Sequence, residues 1–477
     1  MPAKRISEHP VLEFQRGEKF FFDFEGKKIP AYPGDTIAAA LYAQGLQKFT
    51  ESKLLKRPRG FFCAIGKCSS CIMRVNGVPH VRSCITLAEE GMKVERQSAM
   101  PDFPDVALPC TPVNEHKIEI AVIGGGPAGL SAAIVAANNG ADVHLFDENA
   151  NLGGQLVKQT HQFFGRYEEH AGTRGVDIGK ALAEEAHEAG VNIHSDSTVL
   201  GYYPEMTVTV DSSNSLEIYR CKGIVYATGA TENFLAFENN DLPGIYGAGG
   251  VQTLMNEYGV TPGDKVLMIG AGNVGLIVSY QLIQAGVEVV EVLEALPKVG
   301  GYQVHASKLR RAGVPISTRH SIIKAIGTEK VEGAVVQGLD DDWKPIDGTE
   351  RTVECDIICI AVGLQPDNHF LRLAGCETKH VPELGGIVPL RNEYLETTVS
   401  NLFIAGDSAG IEEATVAILE GKLAGAAITE KIKGPSSELT TIKEKAILGI
   451  NDMREGPYGK RSKKGVNLCT FEGGCIG

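Results

Sequence analysis

The stretch Ile118-Glu-Ile-Ala-Val-Ile-Gly-Gly-Gly-Pro-Ala-Gly129 decides the fold. Its first six residues read as a parallel strand buried on both faces, and the glycines after it open a helix running to Asn139. The next strand ends at Asp147. In such a unit Gly124 makes the turn, Gly126 lets the backbone approach a pyrophosphate, and Gly129 lets helix and strand pack closely. Asp147 lies 23 positions after Gly124, placed for a ribose hydroxyl, with Glu148 as the alternative. A glycine motif alone is an ordinary turn signal; strand, helix, second strand and acid together make it a dinucleotide-binding half.

The pattern recurs downstream. Lys265 to Ile269 reads as a strand, Gly270-Ala-Gly272-Asn273-Val-Gly275 opens a helix to Ala285, and a further strand ends at Glu294, 24 positions after its glycine. No arginine pair follows Glu294, only Lys298, so a 2′-phosphate would meet a negative charge and NAD(H) is favoured over NADP(H). A third element, Leu402-Phe-Ile-Ala-Gly406-Asp407, has the form of a strand and turn that gives an aspartate to the ribityl chain of a flavin. Its return to the first unit would make the chain a flavin half, an inserted nucleotide fold, and the flavin remainder.

At the other end, Cys63, Cys68, Cys71 and Cys84 leave four, two and twelve residues between successive thiols. Three ligands from one tight loop and a fourth from the returning chain fit a 2Fe-2S cluster. The small or flexible residues Ala64, Ile65, Gly66, Ser69 and Ser70 suit a loop that wraps a cluster and turns N–H groups toward sulfur. The alternatives are a zinc knuckle, which usually needs two Cys-x-x-Cys pairs, or four unrelated buried thiols. Cys110 rivals Cys84 as the fourth ligand. Strand-like Glu18 to Phe24, a turn at Gly26, and a short helix from Thr36 to Gln44 after Asp35 as N-cap give the order of a β-grasp ferredoxin. Lys56-Arg-Pro-Arg-Gly60 is a basic collar before the first ligand, either a docking surface or a solvated turn.

With 477 residues and 56 glycines the chain suits about three domains. The expected organisation is α/β: 1–100 a 2Fe-2S β-grasp domain, 101–116 a linker around Pro101, Pro104, Pro109 and Pro112, 117–243 and 352–435 the two parts of an FAD-binding Rossmann-like domain, 244–351 an inserted NAD-type domain, and 436–477 a C-terminal tail. A net charge of −13 argues against nucleic acid as a partner. No apolar signal core or eighteen-residue apolar run appears, so a cytoplasmic protein without a membrane span is expected. Eleven cysteines in such a chain fit a cluster and free thiols better than disulfides.

The nested arrangement resembles the two-dinucleotide-fold pyridine-nucleotide disulfide reductase superfamily, with Val225-Tyr-Ala-Thr228-Gly229 and Ile360-Ala-Val-Gly363 as its crossover strands. Gly153-Gly154-Gln155 resembles the flavin-side segment of the thioredoxin-reductase-like branch. The redox Cys-x-x-Cys of that branch is missing, since no cysteine lies between Cys221 and Cys355, and Cys355 and Cys359 read as buried structural thiols. The cluster loop, both glycine loops and Gly153 to Gly165 together resemble the electron-transfer subunit of heteromeric amine and imino-acid dehydrogenases, over about residues 15 to 435. These include hydrogen cyanide synthase, opine oxidase, dye-linked proline or hydroxyproline dehydrogenase and sarcosine oxidase α.

That resemblance implies Cys63, Cys68, Cys71 and Cys84 on iron. It implies Gly124, Gly126, Pro127, Ala128, Gly129, Asp147 and Glu148 on FAD, joined by Gly154, Gln155, Thr228, Gly229, Gly406, Asp407 and Ala414. Gly270, Gly272, Asn273, Gly275 and Glu294 would take NAD(H) or another adenine nucleotide. The implied partner is an FAD-dependent amine-oxidase-like catalytic subunit in a hetero-oligomer; a second candidate is a further small iron-sulfur subunit. The end of the chain departs from the pattern: Cys469 and Cys475 beside the basic run Lys460 to Lys464 cannot close a second cluster alone, and the tail reads as solvated or partner-docking. Three functions follow: an electron relay, a free-standing NADH-dependent reductase of a small acceptor, or a non-catalytic nucleotide-sensing subunit. No substrate-activating constellation stands out; Lys158 and His161, one helical turn apart, are acid-base candidates, with helix-surface or core roles as the alternative.

Overall fold

The computed structural model describes residues 4–97, 113–212, 215–456 and 459–471. Of the linker expected at 101–116, residues 101–112, Cys110 among them, lie outside the described residues, as does Cys475, while Asn114 to His116 already belong to the strand Asn114–Ile123. The chain forms two compact units, Met1–Ala107 with Glu232–Gly363, and Leu108–Thr231 with Leu364–Gly477.

The first unit carries a five-stranded sheet in the order Lys27–Ala31, Phe20–Phe24, Lys93–Arg96, Ile72–Val75, Val78–Arg82. Its helix Ile37–Ala43 is capped by Thr36, whose hydroxyl accepts from the Ala39 N–H at 3.2 Å. Asp35, expected as the cap, instead accepts from the Tyr32 N–H and pairs with Arg5. A second, parallel sheet runs Ile245–Gly247, Ile357–Ile360, Lys265–Ile269, Glu288–Glu294, Ile316–Thr318. The strand Ile357–Ile360 lies inside this nucleotide-type sheet, paired on both sides, and not with the flavin half where 352–435 was expected to belong. Phe22, Ile37, Tyr42 and Phe61 share one buried core with Tyr246, Val251, Leu254 and Val266, so the cysteine-bearing region and the parallel sheet fold around common apolar contacts.

The second unit is built on a sheet ordered Asn192–His194, Val143–Phe146, Asn114–Ile123, Ser215–Tyr226, Thr207–Ser212, Ser197–Tyr203. Leu402–Ile404 adds to it beside Ser215–Tyr226, with Ile224 opposite Leu402 and Tyr226 opposite Ile404, so the late strand does return to the first glycine unit. Helix Pro127–Asn138 packs on the long helix Ala414–Lys433, and glycines permit the approach: a Cβ on Gly421 or Gly425 would fall on the carbonyls of Ala128 or Ala132.

The segment after 435, expected as a solvated or partner-docking tail, is helical and packed on its own unit. Residues Ser437–Glu455 form a helix whose Ala446 and Ile450 enter the core shared with Leu419 and Ile418. Lys460–Cys469 is a second helix, with Lys464 paired to Glu383 and the Arg461 guanidinium donating to the Pro382 carbonyl. Cys469 is buried, and its sulfur accepts from Arg391 Nη1 at 3.2 Å. These contacts are what give the segment its order. Among the described residues no helix is long and apolar enough to cross a membrane.

Candidate functional site

The cysteine loop closes on itself. Cys63, Cys71 and Cys84 are buried and Cys68 is half-buried. The sulfurs meet in a chain, Cys68 to Cys63 to Cys84 to Cys71. Backbone N–H groups of Ile65 and Cys68 point at the Cys63 sulfur, at 3.5 and 3.4 Å, and the Gly66 N–H points at Cys84 at 3.3 Å. Hydrogen bonds from the Cys68 and Cys84 thiols lower the Cys63 pKa, while bonds to Cys63 and Cys71 and burial raise Cys84. Among the described residues no three or more His, Cys, Asp or Glu side chains are arranged to hold a single metal ion. Four thiols meeting in sequence, with N–H donors already aimed at sulfur, fit a four-thiolate two-iron cluster.

The basic collar is an internal anchor. Arg57 Nη2 donates to Asp241 Oδ1 at 2.6 Å and to Asn239 Oδ1 at 2.9 Å, and Arg59 lies 3.8 Å from Asp241. Next along the chain, the Phe62 carbonyl accepts the Gly247 N–H at 3.2 Å, and a Cβ on Gly250 would fall on that same carbonyl. Phe62 and Cys63 share a core with Leu267, Ile269, Leu293 and Ile360. The cluster loop therefore sits at the carboxyl ends of the parallel strands, the edge where such sheets bind nucleotides. The sequence reading missed Gly247-Ala-Gly-Gly250 as its seat; a small-residue cluster opening a helix was the available signal.

In the second glycine loop, Gly270 has φ +109° and Gly275 packs on it so closely that a Cβ would overlap the Gly270 carbonyl. Gly272, the N-cap of helix Asn273–Gln284, has nothing within 4 Å of the place a Cβ would occupy. That open cradle before uncapped helical N–H groups fits a diphosphate. Glu294 accepts from the Ala271 N–H and the Leu296 N–H, both at 2.9 Å. Asn273 accepts from the Tyr302 N–H at 2.8 Å.

The first loop repeats this geometry in the second unit. Gly124 has φ +107°, and Gly126 is the N-cap of helix Pro127–Asn138 with only the Gly154 Cα near its side-chain position, at 3.9 Å. Asp147 accepts from the Gly125 N–H at 2.6 Å and the Asn149 N–H at 2.8 Å, and burial raises its pKa against those bonds. Glu148 lies beside it, half-buried. Gly229 donates to the Ser408 hydroxyl at 2.8 Å, and a Cβ on Gly406 would lie 2.9 Å from that of Ala128. Thr228 and Ala414 are half-buried, Ala414 at the start of its helix. Asp407 is half-buried, and burial with the charges of Glu420 and Glu412 pushes it up to about 7. The structure thus gathers Gly124 to Gly129, Asp147, Gly154, Gly229 and Gly406 in one unit.

Lys158 and His161 do not share a helical face. Gly154–Lys158 is a short 3-10 turn with Gln155 exposed and Lys158 buried, and His161 lies beyond it, stacked on Phe163 with centroids 5.8 Å apart. Burial pushes the Cys221 and Cys355 thiols up to about 12 and holds Cys359 well above the ordinary thiol value, which suits inert core cysteines.

Residues 118–421 match the model of the pyridine nucleotide-disulphide oxidoreductase family. The chain belongs to that family. Residues 17–99 match the 2Fe-2S iron-sulfur cluster binding domain. The cofactor set is accordingly FAD, a pyridine or other adenine nucleotide, and a 2Fe-2S cluster. The alpha chain of sarcosine oxidase from Corynebacterium sp. (strain P-1) is 28% identical over 90% of this chain and 45% of its own length. One chain of the opine oxidase of Rhizobium meliloti (strain 1021) is 30% identical over 67% of this chain and 72% of that one. The chain thus spans about half the length of its sarcosine oxidase relative. Among solved structures, L-proline dehydrogenase from P. horikoshii superposes with a TM-score of 0.70 at 26% identity, covering 94% of this chain and 79% of that one.

Proposed function

We propose that this chain is the electron-transfer subunit of a hetero-oligomeric amine or imino-acid dehydrogenase of proline, hydroxyproline, sarcosine or opine type, passing electrons between a partner flavoprotein and NAD or another acceptor. The observation that supports it most is the seat of the cluster loop. Phe62 and Cys63 rest on Gly247 and Gly250 at the nucleotide edge of the parallel sheet, so a one-electron carrier is built into the same core as a nucleotide crevice. Flavin supplies the exchange between single electrons at iron and pairs at nicotinamide. In this reading Cys63, Cys68, Cys71 and Cys84 hold iron, Asp407 and the first glycine loop orient the flavin, and the second loop holds the nucleotide.

The relatives named above are subunits of a sarcosine oxidase and an opine oxidase, and the structural neighbour is an L-proline dehydrogenase, which supports the proposed substrate class. The test is to purify the chain alone and with a co-expressed FAD-dependent amine-oxidising subunit. The isolated chain is expected to leave proline, hydroxyproline and sarcosine unoxidised, and the complex to reduce a dye. Cys71→Ser should abolish the coupled activity while substrate still bleaches the partner's own flavin. Rapid amine oxidation by this polypeptide alone would overturn the relay; NADH-driven dye reduction by it alone would instead support the free-standing reductase.

A further inference from the structure

The turn that presents Asp407 is closed by a ring of contacts reaching into the helix Ser437–Glu455. Gly406 donates its N–H to Glu420 Oε2 at 2.9 Å. Glu420 Oε1 accepts from Arg454 Nη2 at 3.0 Å. Arg454 also donates from Nε and Nη2 to the two oxygens of Glu412, at 3.1 and 2.5 Å. The backbone N–H of Glu412 points back to the Asp407 carboxylate and closes the ring. The side chains of Arg454, Glu412 and Glu420 are only 12%, 7% and 3% exposed. Two carboxylates, Glu412 and Glu420, therefore gather about one guanidinium, whose planar fork spans both.

We propose that Arg454 is a positioning residue for the flavin: through Glu420 and Glu412 it fixes the Gly406–Asp407 turn that takes the ribityl chain. This rests on the assignment of Asp407 to the flavin. The match to the family ends at residue 421, so the helix that supplies Arg454 lies beyond the nucleotide-fold region. Buried ion groups of this kind hold only while every member is paired, because a carboxylate left without its cation bears the whole cost of desolvation. Glu420 faces Arg454, Glu412, Arg391 and the Gly406 N–H, and its charge also bears on Asp407; burial raises its pKa and Arg454 draws it back down. As the pH falls and Glu420 takes a proton, its hold on Gly406 and Arg454 weakens and the turn is released.

The experiment follows FAD fluorescence released from full-length, cluster-loaded protein across the acid range. It uses the wild type, Asp407→Ala, Arg454→Lys, Arg454→Met and Glu420→Gln, with cluster absorbance as the folding control. Arg454→Lys keeps the charge but loses the fork, and the FAD Kd is expected to rise about tenfold. In Arg454→Met the midpoint of acid release should move up by about one pH unit or more, because the opposite charge no longer holds the carboxylate pKa down. Glu420→Gln still accepts the Gly406 N–H and should reduce the acid dependence to the part that Asp407 itself carries, which decides the matter if neither arginine variant folds. Wild-type Kd and pH profile in the arginine variants, or a wild-type acid profile in Glu420→Gln, overturn the proposal while Asp407→Ala still loses FAD. Full FAD retention in Asp407→Ala removes the underlying assignment instead.

Discussion

The two glycine loops have one backbone and two settings. Gly124 and Gly270 bend at φ +107° and +109°, and a Cβ on either would fall on a carbonyl, that of Ala227 or Ala361. Each acid holds the residue after the bend, Asp147 on the Gly125 N–H at 2.6 Å and Glu294 on the Ala271 N–H at 2.9 Å. Even the returning glycine pair repeats: Gly153 donates to the Gly125 carbonyl at 2.8 Å, and Gly301 to the Ala271 carbonyl at 2.9 Å. The settings differ in what closes them. The first loop meets Gly406 and the carboxylate ring behind it, whereas the second shares its unit with the cluster loop and leaves Gly272 uncovered. The two fingerprints therefore share one bend, and in the proposed reading the choice of nucleotide comes from the elements far along the chain that close them differently.

The strongest test of that equivalence is to insert a methyl where helix and turn touch. A Cβ on Gly129 or Gly275 would overlap the carbonyl of Gly124 or Gly270, so Gly129→Ala and Gly275→Ala should each cost several kcal/mol locally. Gly129→Ala is expected to lose the yellow chromophore, and Gly275→Ala to lose nucleotide binding by NADH titration while staying yellow. The reverse pattern would exchange the two assignments. Milder changes sharpen the same contrast. Asp407→Ala should weaken FAD retention by about tenfold, the value of one hydrogen bond to a carboxylate. Gly272→Trp should fill the open cradle and block the nucleotide with the flavin absorbance intact.

Much of this contrast was legible in the residues. Strands Lys265–Ile269 and Glu288–Glu294 follow directly from apolar runs ended by glycine or an acid. The cysteine spacing and the return of Leu402–Ile404 to the first sheet were equally readable. Other features were hidden for physical reasons. Ile357–Ile360 carries no mark of which sheet it joins, because any buried parallel strand is an apolar run. Arg57 and Arg59 read as a docking surface or a solvated turn because their partner, Asp241, is remote in sequence. Ser437–Glu455 alternates charged and apolar residues as a surface helix does, and nothing local shows that Arg454 turns inward. Glu420, an acid in a helix of alanine, glycine, leucine and isoleucine, was the available clue to that buried pairing.

The cluster-side setting can be loosened separately. Arg57 is about a third exposed, so its pair with Asp241 should contribute about 1 kcal/mol or less. Arg57→Ala is expected to leave iron and sulfide content unchanged and to lower the melting temperature of the cluster absorbance by a few degrees, with flavin release unmoved. Loss of FAD together with that shift would show that the two settings are not independent.

The smallest expected effect belongs to the unit proposed to hold the flavin and is set by pH. His144 and His194 lie on neighbouring strands with ring nitrogens 2.9 Å apart, stacked among Phe146, Tyr219 and His116. Burial lowers both pKa values; for His144 the charge of Asp142 opposes it, for His194 that of Glu217, and His116 reinforces both. A histidine whose folded pKa lies below its unfolded value of about 6.5 binds fewer protons when folded, so its stabilising contribution is present above that value and is lost as the pH falls through it. FAD release on heating should therefore occur at lower temperature as the pH drops below about 6.5, beyond any change in the melting of cluster absorbance. His194→Phe keeps an aromatic ring between Phe146 and Tyr219 and removes one of the two protonation sites. It should shrink the pH dependence of the flavin signal without altering the cluster signal. An unchanged slope in that variant would place the acid sensitivity elsewhere in the flavin unit, with the carboxylates around Arg454 next to be examined by the same melt.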